Sequence, residues 1–130
     1  MKILIAEDNP INQKVALITL KKLGYRADLA RNGHQVLTAM EESAYDLVLM
    51  DVQMPEMDGI EATRIIRQRW PEGPKIIVVT SFNPEICREL CFDAGADDFL
   101  NKPVKMNELG AAIERNMGYV SCSSPICQPV

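Results

Sequence analysis

Histidine is nearly absent from this chain of 130 residues, which has one, and its four cysteines fit no zinc-binding spacing. Cys87 and Cys91 fall one helical turn apart, while Cys122 and Cys127 lie in a stretch rich in Ser and Pro. A structural zinc site needs Cys and His in short paired spacings, so none is expected. The cysteines make no disulfide framework either, and buried or incidental thiols in a reducing compartment are the expectation. No apolar run approaches the roughly 20 residues that span a bilayer. The first such run stops at Glu7, far too early for a secretory signal. A soluble, cytoplasmic chain without direct membrane contact follows. A basic excess is also missing: the net charge is −4, which argues against a nucleic-acid surface. No glycine-rich phosphate loop follows the first apolar run, which argues against a dinucleotide-binding enzyme.

What is present has the size and composition of one globular domain, 47% hydrophobic and 25% charged. Apolar runs alternate with stretches of helical period. Ile3 to Ala6 reads as a buried strand, and Pro10 suits the first turn of a helix carrying Ile11, Val15 and Ile18, with Gly24 as its stop. Tyr25, Ala27 and Leu29 alternate with Arg26, Asp28 and Ala30, as on an edge strand with one wet side. Val36, Leu37 and Met40 form a short helical stripe, and Leu47 to Met50 is a third strand. Ala62, Ile65 and Ile66 mark a helix ended by Pro71 and Gly73. Ile76 to Val79 is β-branched throughout and belongs inside a sheet. Asn83-Pro84 reads as an N-cap with proline at the first helical position, and Gly95 ends that helix. Asp98 to Leu100 is a brief fifth strand, and Met106, Leu109 and Ile113 stripe a last helix. From about Gly118 onward the residues lack a period and read as a tail or linker, leaving a domain over residues 1–117 and a tail over 118–130.

Five strand–helix repeats with short connections predict an α/β fold with a five-stranded parallel sheet and helices on both faces. Ligands in such sheets bind beyond the carboxyl ends of the strands. Glu7 and Asp8 stand at that end of the first strand and Asp51 at that end of the third, with Thr80 ending the fourth and Lys102 following the fifth. Three acids meeting there resist joint ionisation unless a cation joins them. A hard divalent ion such as Mg²⁺ suits the oxygen donors, since no Cys or His stands near. One carboxylate is then free to act as a nucleophile that forms an aspartyl phosphate. Asp51 is the best candidate, because its strand is central and it opens a long loop. Glu7 and Asp8 are better placed as metal ligands, although Asp8 also fits a helix cap before Asn9-Pro10. Lys102 would meet a phosphoryl oxygen as a point charge, and Thr80 would hydrogen-bond the product. A phosphatase with an aspartate nucleophile would carry a second acid two residues on, where this chain has Gln53.

These residues together resemble the receiver domain of two-component response regulators. The likeness rests on Glu7-Asp8, on Asp51 within Met50-Asp51-Val52-Gln53-Met54-Pro55, on Asp58-Gly59, on Thr80 and on Lys102-Pro103, and it covers about residues 1–117. It implies a flavodoxin-like (βα)5 sheet in the order 2-1-3-4-5. It implies that Asp51 accepts a phosphoryl group from a phosphohistidine of a histidine kinase or histidine phosphotransfer domain. Mg²⁺ would be bound by Asp8, Asp51 and the backbone carbonyl of Gln53, with Glu7 helping through water. Lys102 and Thr80 would contact the phosphoryl group, and Thr80 with Phe99 would form the switch, Phe99 reading equally as a core aromatic of strand five. The family's Lys-Pro bond is usually cis. Asn9-Pro10-Ile11-Asn12-Gln13 is most similar to receivers of hybrid histidine kinases, so the chain is expected to stand alone or to be a piece of a larger kinase. Ser81, where the family often has Ala, and Phe82, bulkier than usual, depart from the common pattern. The rival from another class is a receiver-like module that binds partners without being phosphorylated. Such modules usually lack one of the acids, the Thr or the Lys, all of which this chain keeps.

Overall fold

A computed structural model describes residues 1–81 and 84–118. The expected Asn83 cap, Phe82, Cys122, Cys127 and the tail lie outside the described residues. Five strands and five helices alternate along the chain: β1 (Ile3–Ala6), α1 (Pro10–Lys22), β2 (Ala27–Ala30), α2 (Gly33–Glu42), β3 (Leu47–Asp51), α3 (Gly59–Arg69), β4 (Lys75–Thr80), α4 (Pro84–Ala94), β5 (Asp98–Asn101) and α5 (Met106–Met117). All pairings are parallel, in the order β2-β1-β3-β4-β5, so the strand order reverses between β1 and β3.

Strand alternation divides the core in two. Leu4, Ala6, Val48, Met50, Ile76 and Val78 face one side and pack with Val36 of α2, Ala62 and Ile66 of α3, and Cys87 and Cys91 of α4. Ile3, Ile5, Leu47, Leu49 and Ile77 face the other and pack with Leu20 of α1 and Leu109, Ala112 and Ile113 of α5. Strands buried on both faces read as unbroken apolar runs, which is why β1 and β3 were legible without alternation. β2 is an edge strand, with Leu29 41% exposed.

Helix α1 presents one apolar stripe to solvent and another to the sheet. It starts and stops as expected, with Pro10 in its first turn and Gly24 at φ 95° just past its end. The stripe of Ile11, Val15 and Ile18 is 72%, 55% and 55% exposed. A second stripe, Ala16, Leu17, Leu20 and Leu23, does the packing. The helix carries two apolar stripes at helical spacing, and period alone does not say which one meets the sheet.

Candidate functional site

The connections after β1, β3 and β5 bring the site together. Glu7 N–H donates to the Ala30 carbonyl at 3.0 Å, carrying the β1–β2 ladder one residue past β1. Asp51 is the last residue of β3. Lys102 N–H donates to the Thr80 carbonyl at 2.8 Å, which ties the chain after β5 to the end of β4. The Lys102–Pro103 peptide is cis. The carboxylates of Glu7 and Asp51 are buried, with side chains 7% and 6% exposed, and the Lys102 side chain is 26% exposed. The Lys102 ammonium donates to Glu7 Oε1 at 2.8 Å and to Asp51 Oδ2 at 3.2 Å. The other oxygens are also used: Glu7 Oε2 accepts from Asn9 N–H and Asp51 Oδ1 from Gln53 N–H, each at 3.3 Å.

Asp8 is exposed and does not cap α1. Asn9 does, its Oδ1 accepting from the N–H groups of Ile11 and Asn12 at 2.9 and 3.1 Å. Asp8 is thereby left to the acid cluster, where one oxygen from each of Glu7, Asp8 and Asp51 lies within 4.8 Å of the others. Asp58 stands outside that cluster and caps α3, accepting from Glu61 N–H at 2.8 Å. The next residue is glycine for a steric reason. A Cβ on Gly59 would collide with the Asp51 carbonyl oxygen, so the start of α3 lies directly against the strand end that carries Asp51.

Charge is unevenly shared among these groups. Burial, followed by the neighbouring Glu7, pushes the Asp51 carboxyl up to about 7, and Lys102 only partly opposes this. Burial also pushes Glu7 upward, but hydrogen bonds with Asp51 and Lys102 outweigh it and hold Glu7 below its ordinary value. For Lys102, burial works downward and is outweighed by both carboxylates, so its ammonium is held charged. One ammonium does not offset the burial of Asp51 beside Glu7, and further positive charge would favour the ionised form of Asp51. The clustered donors are carboxylate oxygens without a Cys or His among them, a set that fits a hard divalent cation such as Mg²⁺.

Thr80 is fully buried at the end of β4, opposite Asn101 of β5. Phe99, paired with Val78, is partly buried against the core beneath α2, α3 and α4. Gln53 is exposed two residues beyond Asp51. A cleft of about 420 Å³ opens beside the acids, lined by Glu7, Asp51 and Lys102 together with Ser81, Val15 and Val104. Two residues of this region were not legible as such. Ser81 lines the cleft, although its sequence signal was only a departure from a common Ala. Gln13 is buried and donates from Nε2 to the Glu7 carbonyl at 2.6 Å. Its signal was its place one turn before Ala16 and Leu17, in line with the packing stripe of α1. The remaining thiols, Cys87 and Cys91, are free and buried in α4, their sulfurs 3.7 Å apart.

Comparison with known proteins gives a consistent picture. The family model for the response regulator receiver domain matches residues 3–114. Hybrid signal transduction histidine kinase K of Dictyostelium discoideum is 40% identical over 122 residues, covering 88% of this chain and 10% of that protein. Histidine kinase 5 of Arabidopsis thaliana is 36% identical, covering 88% of this chain and 15% of its own length. The chain thus spans a small part of these relatives. Among solved structures, the receiver domain of a sensor histidine kinase from Pseudomonas aeruginosa, crystallised with a magnesium ion in its active-site cleft, is 41% identical. It superposes with a TM-score of 0.82 over 90% of this chain and 97% of that one. A receiver domain from Saccharomyces cerevisiae, solved with a histidine phosphotransfer signalling protein, is 29% identical. Its TM-score is 0.83 over 89% of this chain and 88% of that one.

Proposed function

This chain belongs to the response regulator receiver domain family, and we propose that it works as the phosphoacceptor of a two-component phosphorelay. The meeting of Lys102 with Glu7 and Asp51 in one buried corner of the sheet edge is the observation that supports this most. An Asp51 oxygen attacks the phosphorus of a phosphohistidine presented by a histidine kinase or a histidine phosphotransfer domain. The new O–P bond forms as the P–N bond breaks, and the imidazole leaves with its electron pair. Lys102 holds a phosphoryl oxygen as a point charge, and the Thr80 hydroxyl hydrogen-bonds the product. Asp8, Asp51 and the Gln53 carbonyl would hold Mg²⁺, with Glu7 acting through water. When bound, the ion would neutralise charge on the phosphoryl oxygens.

The receiver unit in this proposal spans residues 1–117, followed by a tail or linker, and Thr80 with Phe99 forms its switch. Phosphorylation draws Thr80 toward the phosphoryl group and Phe99 turns inward, altering the face built from α4, β5 and α5. The phosphoryl group shifts that equilibrium because it binds one state better than the other. The partner docks on α1, where Ile11, Val15 and Ile18 lie exposed and Val15 lines the cleft, and on the connection after β5. The chain is a signalling phosphoacceptor that catalyses only its own phosphorylation and dephosphorylation, and it acts in the cytoplasm as part of a larger hybrid kinase or beside one. Among the described residues, no helix is long and apolar enough to cross a membrane.

The test is incubation with Mg²⁺ and a small phosphodonor, followed by intact mass. The wild type gains one phosphoryl mass and Asp51→Asn gains none. No gain in the wild type, or an equal gain in Asp51→Asn, overturns the proposal.

A further inference from the structure

We propose that Gln13 is a positioning residue of the acid site. Its side-chain amide fixes the peptide that joins Glu7 to Asp8, and so sets where the two acids stand for a divalent cation. This rests on the phosphoacceptor reading and deepens it.

The inward face of α1 is otherwise apolar, made by Ala16, Leu17, Leu20 and Leu23. Gln13 continues that face toward the sheet edge, where an apolar side chain would pack as well. An amide stands there instead, in a residue only 7% exposed. Burying an amide is unfavourable unless a partner takes its hydrogen bonds. The partner is the main-chain carbonyl of Glu7, 2.6 Å from Nε2. A carbonyl can only accept, so the group facing it must be the amide nitrogen.

Glu7 is thereby held at four points. Its N–H rests on Ala30, its carbonyl accepts from Gln13, and its carboxylate accepts from Lys102 and from Asn9 N–H. The grip of Gln13 reaches Asp8 from its N-terminal side, because the Glu7 carbonyl and the Asp8 N–H belong to one rigid peptide plane, while Asn9 N–H, in the plane that follows Asp8, holds it from the other side. Asp8 is exposed, and its main chain starts from that plane. The Asn9 cap fixes the first turn of α1, and Gln13 N–H donates to the Asn9 carbonyl at 2.9 Å. Cap and amide together make the start of α1 a bracket for the acid pair.

Gln13→Met keeps length and bulk and removes the donor, whereas Gln13→Ala removes both. In the full chain, Mg²⁺ affinity is measured by calorimetry, stability by thermal melting without Mg²⁺, and the Asp8 amide by NMR. Gln13→Met is expected to bind Mg²⁺ on the order of tenfold more weakly. Its Mg²⁺-free Tm should stay nearer the wild type than that of Gln13→Ala, while its Asp8 amide resonance moves. An unchanged Mg²⁺ affinity or an unmoved Asp8 resonance in Gln13→Met overturns this role alone. A wild type that binds Mg²⁺ but gains no phosphoryl mass overturns the phosphoacceptor reading alone. A wild type that binds no Mg²⁺ overturns both.

Discussion

Lys102 and Glu7, 95 positions apart in the chain, meet through an ammonium–carboxylate hydrogen bond of 2.8 Å. The same ammonium reaches Asp51. Without a metal, Lys102 is therefore the principal cation holding two buried acids together.

Removing it should expose their repulsion. Lys102→Ala is expected to lower stability by about 1–2 kcal/mol, discounted from a fully buried pair because Lys102 is partly exposed. Added Mg²⁺ should raise the Tm of Lys102→Ala more than that of the wild type. Acceptance of a phosphoryl group should fall on the order of a hundredfold, as for loss of one preorganised charge. Melting curves in EDTA and in Mg²⁺, with phosphorylation followed by mass, check both points.

Gly59 makes a steric prediction. Gly59→Ala would drive a methyl into the Asp51 carbonyl, and the start of α3 must move away. A loss of about 3 kcal/mol is expected, together with weaker phosphoryl acceptance. Denaturant unfolding measures the first. A stability within error of the wild type would mean that the close approach is easily relaxed.

The outer stripe of α1 should separate docking from chemistry. Ile11→Glu is expected to leave stability within about 0.5 kcal/mol, because Ile11 is 72% exposed. Labelling by a small phosphodonor should be unchanged. Transfer from a phosphorylated histidine phosphotransfer domain should slow on the order of tenfold, the loss of one well-packed contact. Comparing the two rates side by side is the check.

Asp98 predicts a pH dependence remote from the acid cluster. Burial would raise its carboxyl, but the Phe99 N–H and the side chains of Arg115 and Asn116 outweigh it and hold it below the ordinary 3.8. Arg115 Nε donates at 2.9 Å and Asn116 Nδ2 at 2.8 Å. A carboxyl depressed in the folded state binds fewer protons there than in the unfolded chain, so stability rises with pH across the interval between the two values. The contribution is complete above 3.8 and fades as the pH falls toward the folded-state value. Asp98→Asn should cost about 1 kcal/mol at neutral pH and flatten the acid limb of the stability curve. Urea unfolding from pH 6 down to about pH 3 measures this.

Much of the fold was legible because the interior strands are apolar on both faces and helices α1 and α3 open with Pro10 and the Asp58-Gly59 turn. The acids were legible because they stand at the carboxyl ends of such strands, Glu7 and Asp8 just past β1 and Asp51 as the last residue of β3. The meeting of Lys102 with the acids was legible from its place after strand five, but its closer bond to Glu7 than to Asp51 was not, since nothing local links residues on opposite sides of the sheet's centre. Gln13 stands in the Asn9–Gln13 motif, but its burial was not legible, because a single polar residue in a helix looks solvated until its neighbours are placed. On α1 the exposed β-branched stripe outshone the inner one, built of Ala and Leu.

The parallel register that sets Ala6 beside Met50, Asp51 beside Val79 and Thr80 beside Asn101 has a further consequence. The candidate site groups come from four strand ends, those of β1, β3, β4 and β5, so a slip by one residue in any of these strands scatters them. A partly folded or misaligned chain is therefore mute: it has no means of taking up the signal and cannot report one falsely. Folding to completion and readiness to receive become a single all-or-none event, and the sheet proofreads its own message.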